Sequence, residues 1–477
     1  LPFPYALGVP APDSRPTRPF SPPPRSGNPG RGAAFARLAA EVERYPDLSL
    51  DPLETPRVSD RDAALAHAIY DAAVRRWLTI SYLAGLHLRQ PWDGLEPGVL
   101  GALLGGAAQV LFFDRVPTHS AIDEAVEWAK QAVNPRAGGL VNAVLRRIAE
   151  MVVRDGAGEP EKRDCWKGGR DELPLADGTA LVLRGEALPQ DEAKRIAVAT
   201  GVPPWQVREW IEHHGDDDAW HLAWHSIAGA PTIVHAPGAG AEELGAEAGL
   251  GPHDSPTHRV FSGGRAELVE LLGRHPTWWV QDPTASGAVD ALGLSSARVV
   301  VDLCAGRGTK TRQLLVRHPE ARVIACEVSA ARLADLRQLA RFAGSRMSVR
   351  HIEDLGPDTL GGCDLVVADV PCSNSGVLAR RVEARHRCGQ RQITRLVEQQ
   401  RQITGLAVQL LRPGGTLLYS TCSLEPAENA EQVLWAERAL GLRLVTSRQR
   451  LPRGGPGESP REYQDGGFAA VLVKPGG

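Results

Sequence analysis

Two short runs hold the residues best suited to chemistry, Asp369-Val370-Pro371-Cys372 and Ser420-Thr421-Cys422-Ser423. A cysteine thiolate is a strong nucleophile even when little of it is ionised at neutral pH, so it can add to an electron-poor carbon. A carboxyl group beside the attacked ring would stabilise the charge that develops there. Each run follows an apolar stretch, 364–368 and 416–419, that reads as a buried parallel strand. In an open α/β sheet the crevice for ligands lies outside the carboxyl ends of the strands. Two thiols and a carboxylate are therefore expected to meet in one pocket.

The elements that must position them begin near residue 278, where strands and helices alternate and argue for a parallel sheet. Strands are expected at 298–303, 322–326, 347–350, 364–368 and 416–419, with a closing pair near 442–446 and 468–473. A helix at 393–411 carries the apolar stripe Leu396, Ile403, Leu406, Ala407 and Leu410, and Pro413-Gly414-Gly415 is expected to stop it. Seven strands in this rhythm suit a class I methyltransferase-like Rossmann sheet. The first strand runs into Asp302-Leu303-Cys304-Ala305-Gly306-Arg307-Gly308-Thr309-Lys310-Thr311, where the glycines let backbone approach a ligand. Glu327, at the tip of the second strand, is placed to accept hydrogen bonds from ribose hydroxyls. Without a full G-x-G-x-x-G, S-adenosylmethionine is favoured over a dinucleotide; a tight turn with no ligand would use the same glycines.

Upstream of the sheet the chain is long enough for further domains, since 477 residues exceed what one core can hold. Residues 1–32 hold ten prolines and read as a disordered tail. From 33 to 155 the pattern is all-α, with helices expected at 33–45, 60–86, 98–113, 120–131 and 139–153. A small α+β connecting domain is expected at 160–275, with a strand at 231–235 and a loop at 237–258, and residues 276–477 form the catalytic domain. The seven cysteines lack C-x-x-C spacing, which argues against a metal cluster or a disulfide scaffold and fits a reducing cytoplasm. No apolar run is long enough to span a membrane. A net charge of −3 means that a nucleic-acid partner would have to be held by local basic patches.

The two cysteine runs carry a family resemblance. Asp369-Val370-Pro371-Cys372-Ser373-Asn374-Ser375-Gly376 resembles the D-A-P-C-S-G-x-G motif of RsmB/Sun-type RNA cytosine-5 methyltransferases. Tyr419-Ser420-Thr421-Cys422-Ser423-Leu424-Glu425-Pro426-Ala427-Glu428-Asn429 resembles their Y-S-T-C-S…E-N motif. Arg115-Val116-Pro117-Thr118-His119-Ser120-Ala121 and Leu140-Val141-Asn142-Ala143-Val144-Leu145-Arg146-Arg147-Ile148 are similar to the NusB-like domain attached to such enzymes.

The resemblance implies that Cys422 attacks cytosine carbon-6 and that Cys372 assists release of the product. Lys310 and Asp369 would line the base pocket. Cys304, Ala305, Gly306, Arg307, Gly308, Thr309, Lys310, Glu327, Arg332, Asp354 and Asp369 would hold S-adenosylmethionine. The family loop C-A-A-P-G-G-K-T is altered at Gly306, Arg307 and Thr309, and Ile233-Val234-His235 lacks the usual R-V-N. The density of Arg380, Arg381, Arg385 and Arg387 after Cys372 suggests an RNA-binding patch. The partner implied is ribosomal RNA, met by a monomer without a metal. A non-catalytic RNA-binding or ribosome-assembly factor that keeps this fold is the alternative.

Overall fold

The computed structural model describes residues 27–49, 51–55, 58–293, 296–356 and 358–476; the proline-rich stretch 1–26 lies outside them. Six helices open the chain: α1 (Pro29–Arg44), α2 (Asp60–Arg75), α3 (Trp77–Gly85), α4 (Pro97–Phe112), α5 (Thr118–Ala132) and α6 (Pro135–Met151). The first begins earlier than the expected 33 because Asn28 accepts the Arg31 N–H and Pro29 occupies the opening turn. Ser59 and Asn134 cap α2 and α6 in the same way. Helix α4 is apolar on every side and is the buried centre of the bundle. A Cβ on its Gly105 would lie 2.4 Å from the Phe35 ring, so α1 can cross at this distance only over glycine.

The helix expected over 60–86 is two helices, because the backbone leaves helical geometry at Arg76. The Arg76 guanidinium there donates to the carbonyls of Pro174 and Ala199, partners that apolar periodicity cannot reveal.

The stretch 160–275 is divided among three cores. Strands Lys162–Arg163, Glu172–Pro174 and Ala180–Val182 form a small sheet whose Leu173 and Leu181 join the core of the helical bundle. Helices Glu192–Thr200, Pro204–His214 and Asp216–His225 pack instead with Leu378, Ala384 and Leu424. Strands Thr232–His235, Leu250–Pro252, His258–Phe261 and Trp279–Val280 make a four-stranded sheet around Val234, Phe261 and Trp278. The loop expected at 237–258 thus contains the helix Ala241–Ala246 and a strand, both too short to show a period.

The last part is built on seven strands: β1 (Val299–Asp302), β2 (Arg322–Glu327), β3 (Met347–His351), β4 (Cys363–Asp369), β5 (Leu411–Thr421), β6 (Arg443–Arg450) and β7 (Gly467–Val473). Their order is β3-β2-β1-β4-β5-β7-β6, parallel through β5 and antiparallel at β7 and β6. This is the expected α/β sheet of class I methyltransferases. Alternate residues feed opposite faces: Val301 and Val366 pack with Ile403 and Leu410, whereas Val300 and Val367 pack with Leu314 and Leu336. Helix Gln390–Leu410 runs directly into β5. Pro413-Gly414-Gly415 lies within that strand, where the register against β4 slips, and does not itself end the helix. Among the described residues no helix is long and apolar enough to cross a membrane.

Candidate active site

The order of the sheet reverses between β1 and β4, and the chain opens a cleft of 1370 Å³ at the carboxyl ends of these strands. Register brings the first candidates together: Asp369 at the end of β4 pairs with Ser420 on β5, and the Ser420 hydroxyl donates to Asp369 Oδ1 at 2.7 Å. Lys310, the second residue of the helix Thr309–Arg317, reaches Asp369 Oδ2 at 2.8 Å. Burial opposes its charge, but Asp369, with Cys422 and Asp302 adding to it, holds the ammonium above its usual range.

Beyond the two strand ends, Cys372 Sγ and Cys422 Sγ lie 3.2 Å apart, both as free thiols. The Cys422 thiol beside it, then burial, push the Cys372 thiol well above the ordinary range. Asn374 stands where the family motif has glycine, and its φ of 62° explains why that position favours glycine. Its side chain turns back on the site: Nδ2 donates to the Cys372 carbonyl at 2.8 Å, and the Cys422 thiol donates to Oδ1 at 3.2 Å.

The glycine loop floors one side of the cleft. Gly306 has φ 58°, and a Cβ placed on it would meet no atom within 4 Å, so its face is open for a ligand. Glu327 is buried at the end of β2, where Oε2 accepts the Gly306 N–H and Oε1 accepts the N–H groups of Val328 and Ser329. Oε1 is filled by its two N–H groups, and Oε2, with Arg332 Nη1 3.6 Å away, keeps a second lone pair for another donor. Cys304, Arg307, Thr309 and Arg332 line the same cleft, and Ala305 lines the smaller pocket that adjoins Lys310 and Asp369. Gly308 faces away, packed under Leu336 and Leu339. Asp354 is exposed in the turn after β3, where Ile352 supplies the cleft wall in its place. An open loop at Gly306, a carboxylate at the tip of β2 and the Lys310–Asp369 pair are a donor set that fits S-adenosylmethionine.

The expected basic patch divides. Arg381 is exposed and lines the cleft. Arg387 also lines it while donating to the Leu48 carbonyl at 2.9 Å. Arg380 is held by Asp465 at 2.7 Å and by Asp282 at 3.6 Å. Arg385 corrects the expectation of RNA contact: it is fully buried and donates to the carbonyls of Arg75, Thr200, Ser226, Leu378 and Val382. Arg75 and Thr200 are the last residues of α2 and of Glu192–Thr200, so Arg385 satisfies carbonyls that helix ends leave without partners.

Other cleft residues escaped the sequence reading. Arg448 and Arg450 project from β6, alternating with Gln449, and their two-residue spacing was the available signal. Asp302, at the end of β1, is buried; its Oδ2 accepts the Thr311 hydroxyl at 2.7 Å, and burial pushes its carboxyl up to about 7.

Comparison with known proteins agrees with this geometry. Residues 289–448 match the family model for 16S rRNA methyltransferase RsmB/F, and residues 33–150 match the NusB family. The chain is 29% identical over 450 residues to ribosomal RNA small subunit methyltransferase B of Erwinia tasmaniensis, covering 93% of this chain and 98% of that protein. It is 28% identical over 451 residues to the protein of the same name from Escherichia coli, with the same coverage. Among solved structures, the crystal structure of PH0851 shares the fold with a TM-score of 0.69 at 17% identity, covering 95% of this chain and 100% of that one.

Proposed function

We propose that this chain, which belongs to the RsmB/F family of rRNA methyltransferases and carries a NusB-family helical domain, makes 5-methylcytosine through a covalent bond between Cys422 and cytosine carbon-6. The observation that carries this reading is the pair of thiols 3.2 Å apart beside the Lys310–Asp369 ion pair. Gly306 and Glu327 would hold S-adenosylmethionine, which when bound would supply a methyl group on a positively charged sulfur.

The residues divide the remaining work. Cys422, as thiolate, adds to carbon-6 and shifts electron density to carbon-5, the position to be methylated. Asp369, fixed by Ser420 and Lys310, stabilises the ring charge of the adduct. Loss of the carbon-5 proton restores the ring double bond, the carbon–sulfur bond breaks, and its electron pair returns to Cys422. Cys372, held as a thiol, lies within reach to donate a hydrogen bond to that leaving sulfur. Arg381, Arg387, Arg448 and Arg450 face the same cleft and suit the phosphates of an RNA strand.

The test incubates the protein with methyl-labelled S-adenosylmethionine and ribosomal RNA and locates the label. Label on cytosine carbon-5 is expected. Label on another base or atom would remove the thiol mechanism, and failure to bind the methyl donor in a calorimetric titration would favour a non-catalytic assembly factor.

A further inference from the structure

We propose that Glu428 is a positioning residue of the two-sulfur site, a single buried carboxylate that fastens the loop of Cys372 to the loop of Cys422 and sets the separation of their sulfurs. The role rests on the covalent reaction proposed above.

Glu428 is fully buried. Its oxygens receive the N–H of Ser373, the residue after Cys372, at 3.0 and 3.2 Å, and the hydroxyl of Ser423, the residue after Cys422, at 2.6 Å. A third donor, the Gln400 amide, binds Oε1 at 2.9 Å and also reaches the Pro371 carbonyl at 2.9 Å, which holds the Cys372 loop from its other side. The Glu428 backbone is itself anchored, because its carbonyl accepts the Tyr419 hydroxyl from β5 at 2.7 Å. All these partners are neutral. A buried carboxylate is costly to desolvate, and uncharged groups of similar shape commonly serve packing as well or better. What the charge adds is a field on Cys372: after Cys422 and burial, Glu428 contributes to raising that thiol. The same side chain therefore sets where Cys372 stands and helps keep it protonated, the form that can donate to a departing Cys422 thiolate.

The experiment uses the full chain with Glu428→Gln and Glu428→Asp. Alkylation of Cys372 by iodoacetamide is followed against pH by peptide mass spectrometry, without RNA. In Glu428→Gln the midpoint is expected to fall by about one pH unit or more, and Glu428→Asp, which keeps the charge, should restore at least half of the shift. With RNA and methyl donor, Glu428→Gln should accumulate methylated covalent protein–RNA adduct about tenfold over the unsubstituted chain, as slow release would. An unchanged midpoint together with normal turnover overturns the proposal, and so does a Glu428→Asp midpoint that follows Glu428→Gln. If neither Glu428→Gln nor Cys372→Ala forms any adduct, the covalent mechanism fails, while the alkylation profile still decides the role of Glu428.

Discussion

The catalytic cleft and the clamp around Arg385 both gather polar groups between apolar walls, and they spend their hydrogen-bonding capacity in opposite ways. In the clamp, Nε, Nη1 and Nη2 of Arg385 are all committed to backbone carbonyls, and the next residue, His386, donates Nε2 to the Val74 carbonyl. Among these groups only His386 Nδ1 is left without a partner, and His386 does not line the cleft. In the cleft and the smaller pocket that adjoins it, Asp302 Oδ1 has no partner among the described residues, Glu327 Oε2 keeps a lone pair, and the two thiols partner mainly each other and Asn374. The difference teaches that residue type alone does not mark a site. Spare capacity in a walled cleft does.

The comparison is broken most sharply at Cys422. Cys422→Ala should abolish methyl transfer, a loss of about a thousandfold or more, with thermal stability nearly unchanged. Cys372→Ala should instead trap a covalent RNA adduct visible on a denaturing gel. Normal turnover by Cys372→Ala with no adduct would remove the division of roles between the sulfurs.

The clamp should respond in the reverse sense. Arg385→Ala removes one donor from each of five carbonyls, of which Ser226 keeps a second from Arg75, and leaves a cavity behind, which should cost on the order of 3–5 kcal/mol in denaturant unfolding. Arg385→Lys should recover little, because an ammonium cannot reproduce the planar fork. If Arg385→Ala kept full stability and lost only RNA affinity, the residue would belong with Arg381 in the cleft.

These two outcomes mark what was legible in the sequence. The cysteine runs and the glycine loop could be read because each sits at a strand end, where chain order and alternating apolar residues already specify the neighbours. The role of Arg385 could not, since a run of arginines looks the same whether it faces phosphate or helix-end carbonyls more than a hundred residues away. The division of 160–275 among three cores was hidden for the same reason: the partners of Leu173 and Ala219 lie in different parts of the chain. Strand β6 ran on to Arg450, beyond the expected 446, because an exposed edge strand carries no apolar alternation. Glu428 stood in a recognised motif, but its contact with Ser373 exists only after folding.

Asp302 sharpens the comparison through pH. Its carboxyl is raised by burial to about 7 in the folded chain, so between about 4 and 7 the folded state binds the extra proton. Stability attributable to this group therefore falls as pH rises through that window. Asp302→Asn should match the unsubstituted chain near pH 4 and exceed it near pH 8 by up to a few kcal/mol, measured as the difference in unfolding free energy. A constant difference across the window would mean that Asp302 does not titrate there.

The smallest effect is expected at Asn374, where the site carries backbone strain of its own. The φ of 62° costs any residue with a Cβ, and Asn offsets the cost with its bonds to the Cys372 carbonyl and the Cys422 thiol. Asn374→Ala loses both bonds and keeps the strain; Asn374→Gly loses the bonds and relieves it. The alanine variant should therefore be less stable than the glycine variant by about 1 kcal/mol in chemical denaturation. Equal stabilities would mean that the loop relaxes once the side chain is gone, and that Asn374 itself holds the left-handed turn against the two sulfurs.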